Sequence, residues 1–222
     1  MAEASSISPH LPRLKMLPLR EYVGVDRDDP IRFYYWPIFG KLYRRRIELC
    51  MGELTGGKRV LEVGFGSGVA FLNLHDLYGE IHGLDRQAAV PEITAAFRAR
   101  GIEASLRNGS VLQMPFPDGF FDSVLAISIF EHLRPEDLLP AVREVRRVLR
   151  AGGQFVYGAP INRPLMTLAY GLLGVNIDRF HFSTEDEIAR ATGQALERVR
   201  ITSLNGPAGL GPIYEVGHFR KI

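Results

Sequence analysis

Residues 59–68 of the chain, Arg-Val-Leu-Glu-Val-Gly-Phe-Gly-Ser-Gly, decide its fold class. A short β-branched run ends here in three glycines spaced two residues apart, with Glu62 just ahead of them. A glycine turn between a strand and a helix lets a ligand approach the backbone and the helix N-terminus. Dinucleotide-binding loops need a glycine where this chain has Val69, and phosphate-binding loops need a Lys-Ser/Thr pair that does not follow. The loop therefore matches neither of these two patterns.

Strand-like and helical stretches alternate along the chain on the C-terminal side of this loop. Such alternation is typical of βαβ units, which form a parallel sheet covered by helices on both faces. We therefore predict one doubly wound α/β domain. Its predicted strands lie at 59–63, 80–84, 103–107, 121–128, 154–159, 196–203 and 213–219, and its predicted helices at about 38–54, 69–77, 88–100, 136–150 and from Ser183 to just before Gly193.

An acidic residue, Asp85, follows the second predicted strand, 19 residues beyond Gly66 (85 − 66). At this distance from a glycine loop, a carboxylate can accept hydrogen bonds from both hydroxyls of a ribose. The two features together predict an adenosine-type ligand. Because the dinucleotide pattern fails, we expect the other end of that ligand not to be a pyrophosphate.

Several further stretches now point to a family. The stretches 60–68 (VLEVGFGSG), 83–85 (GLD), 109–122 (GSVLQMPFPDGFFD), 128–133 (SIFEHL) and 145–156 (VRRVLRAGGQFV) follow one another in order. Over about residues 45–222 the chain resembles the class I S-adenosylmethionine-dependent methyltransferases of the small-molecule type. The resemblance implies a Rossmann-like seven-stranded, mostly parallel sheet that ends in a C-terminal antiparallel hairpin.

The resemblance also implies S-adenosylmethionine as the cofactor and gives each matching position a role. The acidic residue and the glycines of the loop would hold the methionine part of the cofactor, and Asp85 its ribose. Ser110 stands where the family most often has an acidic residue, and a neutral hydroxyl accepts hydrogen bonds less strongly than a carboxylate. The cofactor-binding residues implied by the resemblance are Glu62, Gly64, Gly66, Gly68, Asp85, Arg86, Ser110, Val111, Ile127 and Ser128.

Two histidines are candidates for the catalytic chemistry. Methyl transfer is an in-line displacement that mainly needs the acceptor to be aligned and water to be excluded. A general base is needed only where the acceptor must lose a proton. His132 follows the fourth predicted strand, at the edge where open α/β sheets bind ligands, and His181 precedes the capped helix near Gly193. A purely structural role for either histidine stays open.

The segments outside the sheet pattern would select the acceptor. We assign residues 1–44 to an N-terminal arm with an aromatic segment at 33–43, and residues 45–222 to the methyltransferase-like domain. The aromatic segment 33–43 and an insertion at about 160–182 would close over the site as an apolar lid, which predicts a small-molecule acceptor with an apolar part. Packing against an N-terminal helix, a homodimer contact and weak contact with a membrane surface are the other interpretations.

Composition excludes several other classes. The net charge is only +2, so no nucleic-acid partner is expected, and the single cysteine and absent zinc spacing predict no metal site. No signal peptide or span of about 20 apolar residues is evident, so a cytoplasmic protein is expected. The alternative function is a non-catalytic, methyltransferase-like protein that binds the cofactor for regulation or assembly.

Overall fold

A twisted sheet forms the centre of the computed structural model, which describes residues 11–25, 29–37, 39–161, 181–206 and 211–222. Over these ranges the sheet has seven strands in the order β3-β2-β1-β4-β5-β7-β6. The strands are β1 (Gly57–Val63), β2 (Tyr78–Asp85), β3 (Ala104–Asn108), β4 (Phe121–Ile127), β5 (Leu149–Pro160), β6 (Glu197–Asn205) and β7 (Pro212–Arg220).

Helices cover both faces of this sheet. In the described ranges they are α1 (Phe39–Gly52), α2 (Phe71–Leu77), α3 (Val90–Arg98), α4 (Pro135–Val148) and α5 (Glu185–Gly193). Short 3-10 turns lie at Leu19–Glu21, Pro30–Tyr35 and Phe130–His132. None of the helices in the described ranges has both the length and the apolar character that crossing a bilayer requires.

Strand pairing confirms the predicted fold class. The pairs β1–β2, β2–β3, β1–β4 and β4–β5 are parallel, whereas β7 runs antiparallel to both β5 and β6. Val63 at the end of β1 is in register with Leu84 on one side and Ala126 on the other. The strand order reverses at β1, and open α/β sheets bind ligands beyond the carboxyl ends of the strands at such a point.

Two buried clusters, one on each face, hold the layers together. On one face α1, α2 and α3 pack against the sheet, and on the other α4 and α5 do. Residues of the N-terminal arm join the first cluster, among them Leu14, Leu17 and Tyr34. The division that we predicted between residues 44 and 45 falls within α1, because the helix begins at Phe39.

The ends of some elements differ from the sequence prediction. The helix predicted at 136–150 ends at Val148, because Leu149 takes an extended conformation and pairs with Phe121 of β4. Strand β5 therefore begins five residues before Gln154, where we placed its start. The predicted lid at about 160–182 falls almost entirely at 162–180, outside the described residues.

Candidate functional site

The glycine loop after β1 has a backbone that other residues would strain. Gly64 and Gly66 have φ angles of +69° and +48°, in the left-handed region that favours glycine. A Cβ atom built on Gly64 would lie 2.0 Å from Cδ1 of Ile129, so no side chain fits there. The Gly64 N–H donates to the carbonyl of Leu84 at 2.7 Å. The loop is thus fixed to β2 at the carboxyl edge of the sheet.

Asp85 fixes the loop from the end of β2. One carboxylate oxygen accepts from the Gly66 N–H at 3.0 Å, and the other accepts from the N–H groups of Gln87 and Ala88 at 2.9 and 3.0 Å. An ionised carboxylate has about four acceptor positions, so capacity remains for a hydroxyl donor. Arg86, the next residue, is exposed beside it. The predicted juxtaposition of the loop and Asp85 is therefore present.

Glu62 gives the loop a buried acidic group. Glu62 is 3% exposed, and its Oε2 has no hydrogen-bond partner among the residues that the structure describes. Burial, with a smaller contribution from the negative charge of Asp85, raises the pKa of Glu62 to about 8. A buried polar atom without a partner is costly, so its presence points to a ligand that supplies a donor. A cationic amino group is the donor that suits a carboxylate best.

Asp29, in the N-terminal arm, is a second carboxylate that contacts the glycine loop, and the sequence analysis missed it. One of its oxygens accepts from the Ser67 N–H at 2.9 Å, and the other accepts from the Ile31 N–H at 2.8 Å. Burial raises its pKa above the ordinary value of 3.8. The available signal was the Asp29-Pro30 pair, which is typical of the start of a helical turn. We treated residues 1–30 only as an irregular arm.

The residues predicted to contact the adenine, Ser110 and Val111, directly follow a residue that is hydrogen-bonded to Asp85. The Gly109 N–H donates to the Asp85 carbonyl at 2.9 Å. Ser110 comes next, and its Oγ accepts from the Leu112 N–H at 3.2 Å. Val111 is buried, whereas Leu112 is 38% exposed. The Ser110 hydroxyl therefore stabilises its own turn and has only part of its acceptor capacity left for a ligand.

The end of β4 carries a backbone outlier. Ser128 has a φ of +56°, and within the described ranges it is the single non-glycine residue with a positive φ. Its N–H donates to the Gly158 carbonyl at 2.7 Å, and its Oγ lies 2.9 Å from the hydroxyl of Tyr214. Ile127, the last residue of β4, is half-buried next to it. Strained backbone of this kind concentrates at ligand sites.

The two candidate histidines come together beside this strand end. The ring centroids of His132 and His181 are 5.3 Å apart. The Phe182 and Ser183 N–H groups donate to the carbonyl of Glu131, at 2.8 and 3.2 Å, which holds the two segments against each other.

Glu131 itself was not among the predicted site residues. Glu131 is 2% exposed, and its Oε2 has no hydrogen-bond partner within the described part of the chain. Burial raises its pKa to about 8. A Glu-His pair in sequence gave no signal of this, because only the fold shows which of the two side chains is buried.

These features together suit one ligand class. The carboxylates of Glu62 and Asp29 lie at the glycine loop, where a cationic amino-acid end fits. Asp85 lies at the adjacent strand end, where a ribose fits. The residues present therefore fit an adenosine ligand with an amino-acid tail, as the sequence analysis implied.

Comparison with known proteins shows that the chain is similar to methyltransferases. Residues 61–157 match the family model described as a methyltransferase domain. A probable S-adenosylmethionine-dependent methyltransferase from Mycolicibacterium smegmatis is 34% identical over 119 residues, which are 54% of this chain and 42% of that protein. The demethylmenaquinone methyltransferase of Thermus thermophilus is 32% identical over 116 residues, 51% of each chain. This chain thus spans about half the length of these relatives or less.

A solved structure shows the same fold. The geranyl diphosphate C-methyltransferase of Streptomyces coelicolor A3(2), solved with geranyl diphosphate and S-adenosyl-L-homocysteine, superposes with a TM-score of 0.68. The two chains are 17% identical, and the superposition covers 89% of each. Residues 61–157 are thus similar to a methyltransferase domain, the curated relatives include S-adenosylmethionine-dependent methyltransferases, and the fold is that of this solved methyltransferase; the residues at the glycine loop fit S-adenosylmethionine as the ligand.

Proposed function

We propose that this chain transfers a methyl group from S-adenosylmethionine to a small-molecule acceptor that has an apolar part. The observation that carries the proposal is a buried carboxyl oxygen of Glu62, unpartnered among the described residues, just before a glycine loop that Asp85 fixes. When bound, S-adenosylmethionine supplies a methyl group already activated by the positive charge of its sulfonium. The protein's tasks are then to bind, to align and to exclude water.

The cofactor contacts follow from the groups at the loop. The Glu62 carboxyl and the loop backbone hold the amino-acid end, and ionisation of Glu62 accompanies that contact because an ammonium group favours the charged carboxylate. Asp85 holds the ribose, with Arg86 beside it. Ser110 and Val111 would border the adenine, and Ile127 and Ser128 would contact the cofactor near its methyl group.

The acceptor would lie at the end of β4, against His132 and His181. If its reacting atom is a hydroxyl oxygen, a proton must leave, and a neutral imidazole at this position can accept it. Phe182, beside His181, is 54% exposed and offers an apolar contact. A relative named for demethylmenaquinone, and a fold neighbour that holds geranyl diphosphate, support an acceptor with an apolar part. A homodimer, weak membrane-surface contact and the absence of a nucleic-acid partner stay predictions.

A second candidate function is binding of the cofactor without catalysis. It is favoured by Ser110, whose hydroxyl already accepts a backbone hydrogen bond and replaces the commoner acidic residue. Methyl transfer to any quinol, isoprenoid or phenol acceptor excludes it. Cofactor binding with no transfer across such a panel would favour it.

The first test is calorimetric titration of the purified chain with S-adenosylhomocysteine. We expect micromolar binding that weakens at least ~10-fold in Asp85→Asn, because the uncharged amide is a weaker acceptor for ribose hydroxyls. Asn keeps one oxygen for the loop amides, so the fold should persist. Asp118→Asn is the matched control. Asp118 is exposed, forms an ion pair with Arg147, and lies just before β4, at the edge of the sheet opposite to the site. Equal affinity in all three proteins would contradict the assignment of Asp85.

A further inference from the structure

Three potential metal ligands meet at the carboxyl edge of β4. One ligand atom each from Glu131, His132 and His181 lies within 4.8 Å of the other two. Glu131 and His132 are on the 3-10 turn that follows β4, and His181 comes from the chain that returns to the sheet before α5. The backbone hydrogen bonds from Phe182 and Ser183 to the Glu131 carbonyl fix the two segments to each other. The cluster is thus held by the fold and does not depend on one flexible side chain.

The donor types select a class of metal. Two imidazole nitrogens with one carboxylate oxygen are a ligand set of catalytic zinc sites and of non-haem iron sites. Magnesium and calcium prefer oxygen ligands only. Three protein ligands also leave at least one coordination position for another molecule.

A second observation points to a bound cation. Glu131 is 2% exposed, and its Oε2 has no hydrogen-bond partner among the described residues. A buried carboxyl oxygen without a partner is costly, and a bound metal ion would supply that partner and favour the ionised carboxylate. His132 is exposed and His181 half-buried, so the cluster is closed on the carboxylate side and open on the side of the histidines.

The guanidinium of Arg46 is a positive charge near the cluster, and its repulsion of a bound cation is reduced by its contacts with two aromatic rings. Arg46 favours the charged form of Glu131 by Coulombic attraction. Its guanidinium lies over the rings of Tyr43 and Tyr214, 4.1 and 5.2 Å from their centroids, and so is shared with those rings.

We propose that Glu131, His132 and His181 bind one divalent transition metal ion of the zinc class, with an open position that takes an oxygen of the acceptor. Tetrahedral coordination with metal–ligand distances of ~2.0–2.1 Å places the ligand atoms about 3.3 Å from one another. Side-chain rotations that move these atoms by about 1 Å would therefore complete the site. Only the part on the acceptor rests on the proposed function. There, both imidazoles would be metal ligands and could not accept the proton; the metal would instead lower the pKa of a bound hydroxyl, and its proton would pass to water.

The test uses Co²⁺, whose visible d–d bands report nitrogen and oxygen ligands at low coordination number. The full chain, freed of metal with a chelator, is titrated with Co²⁺ and followed by absorption. We expect one saturable site, weakened ~100-fold or more in His132→Gln and in Glu131→Gln, since even indirect ligand contacts contribute 10- to 100-fold. His75→Gln is the control, because His75 is an exposed histidine of α2 outside the cluster.

Several outcomes separate the metal site from the proposed function. Equal Co²⁺ binding by the chain and all three variants, or no d–d bands, would overturn the metal site. His132 is exposed, so its substitution tests the site even if Glu131→Gln fails to fold. Azide should shift the bands if a coordination position is open, and unchanged bands would overturn that part. S-adenosylhomocysteine titrated into the same samples tests the cofactor site independently of the metal.

Discussion

At the scale of single residues, the buried carboxyl of Glu62 should make the ligand-free protein sensitive to pH. Its pKa of about 8 in the fold lies above the ordinary value of 4.5. Between these values the folded state keeps a proton that the unfolded state has lost. The free energy of unfolding therefore falls as the pH rises through this range, by up to about 1.4 kcal/mol per pH unit from this group.

The substitution Glu62→Gln should remove this contribution. We expect a flatter dependence of stability on pH and a higher free energy of unfolding at pH values near 8, measured by urea unfolding of the ligand-free protein. S-adenosylhomocysteine should bind more weakly, because the amide cannot pair with an ammonium group. Glu103→Gln is the matched control at an exposed carboxyl, 72% accessible. An unchanged pH dependence in Glu62→Gln would show that the carboxyl is not buried as described.

Which site residues could be predicted depends on how local their signal is. Spacing alone placed Asp85 at the end of β2, because a βαβ unit has a narrow range of lengths. Asp29 and Glu131 could not be found in this way. Each acts through a contact across the fold, to Ser67 in one case and to the segment at Phe182 in the other. Long-range contacts of this kind leave no periodic pattern in a sequence.

At the scale of elements, helix α5 offers a clear test of local signals. The Thr184 hydroxyl accepts from the Glu187 N–H at 3.3 Å, and the Glu187 carboxylate accepts from the Thr184 N–H at 2.8 Å. This reciprocal capping box was predicted from the sequence and is confirmed. By contrast, the start of β5 was missed, because a tertiary pairing between Leu149 and Phe121 ends α4 early.

We expect Thr184→Ala to lower the free energy of unfolding by ~1 kcal/mol, since N-cap side chains contribute about that much. Cofactor affinity should not change, because α5 packs against α4, β7 and the turn after β4, and none of the residues assigned to the cofactor lies in it. Urea unfolding and calorimetry measure the two quantities. Thr94→Ala in the interior of α3 makes the same chemical change where alanine favours the helix. Equal destabilisation by both variants would contradict a capping role.

At the scale of the whole molecule, α1 connects the apolar core to the cofactor site. Cys50 in this helix is fully buried, and a Cβ atom on Gly158 of β5 would lie 2.7 Å from its sulfur. Burial raises the pKa of Cys50 well above its usual value, and the nearby acidic side chain of Glu62 adds to this. Cys50 is the chain's single cysteine, so its modification reports one event, the separation of α1 from the sheet.

We expect cofactor binding to slow the labelling of Cys50 by a chromogenic thiol reagent. If the opened chain has lost the glycine loop's support, S-adenosylhomocysteine at 100 times its dissociation constant stabilises the closed form by ~2.7 kcal/mol and slows labelling ~100-fold. Asp85→Asn at the same ligand concentration should label faster than the native chain, because less of it is bound. If S-adenosylhomocysteine binds by calorimetry but leaves the labelling rate unchanged, α1 opens without disturbing the cofactor site. In that case the helix would stabilise the fold independently of the cofactor.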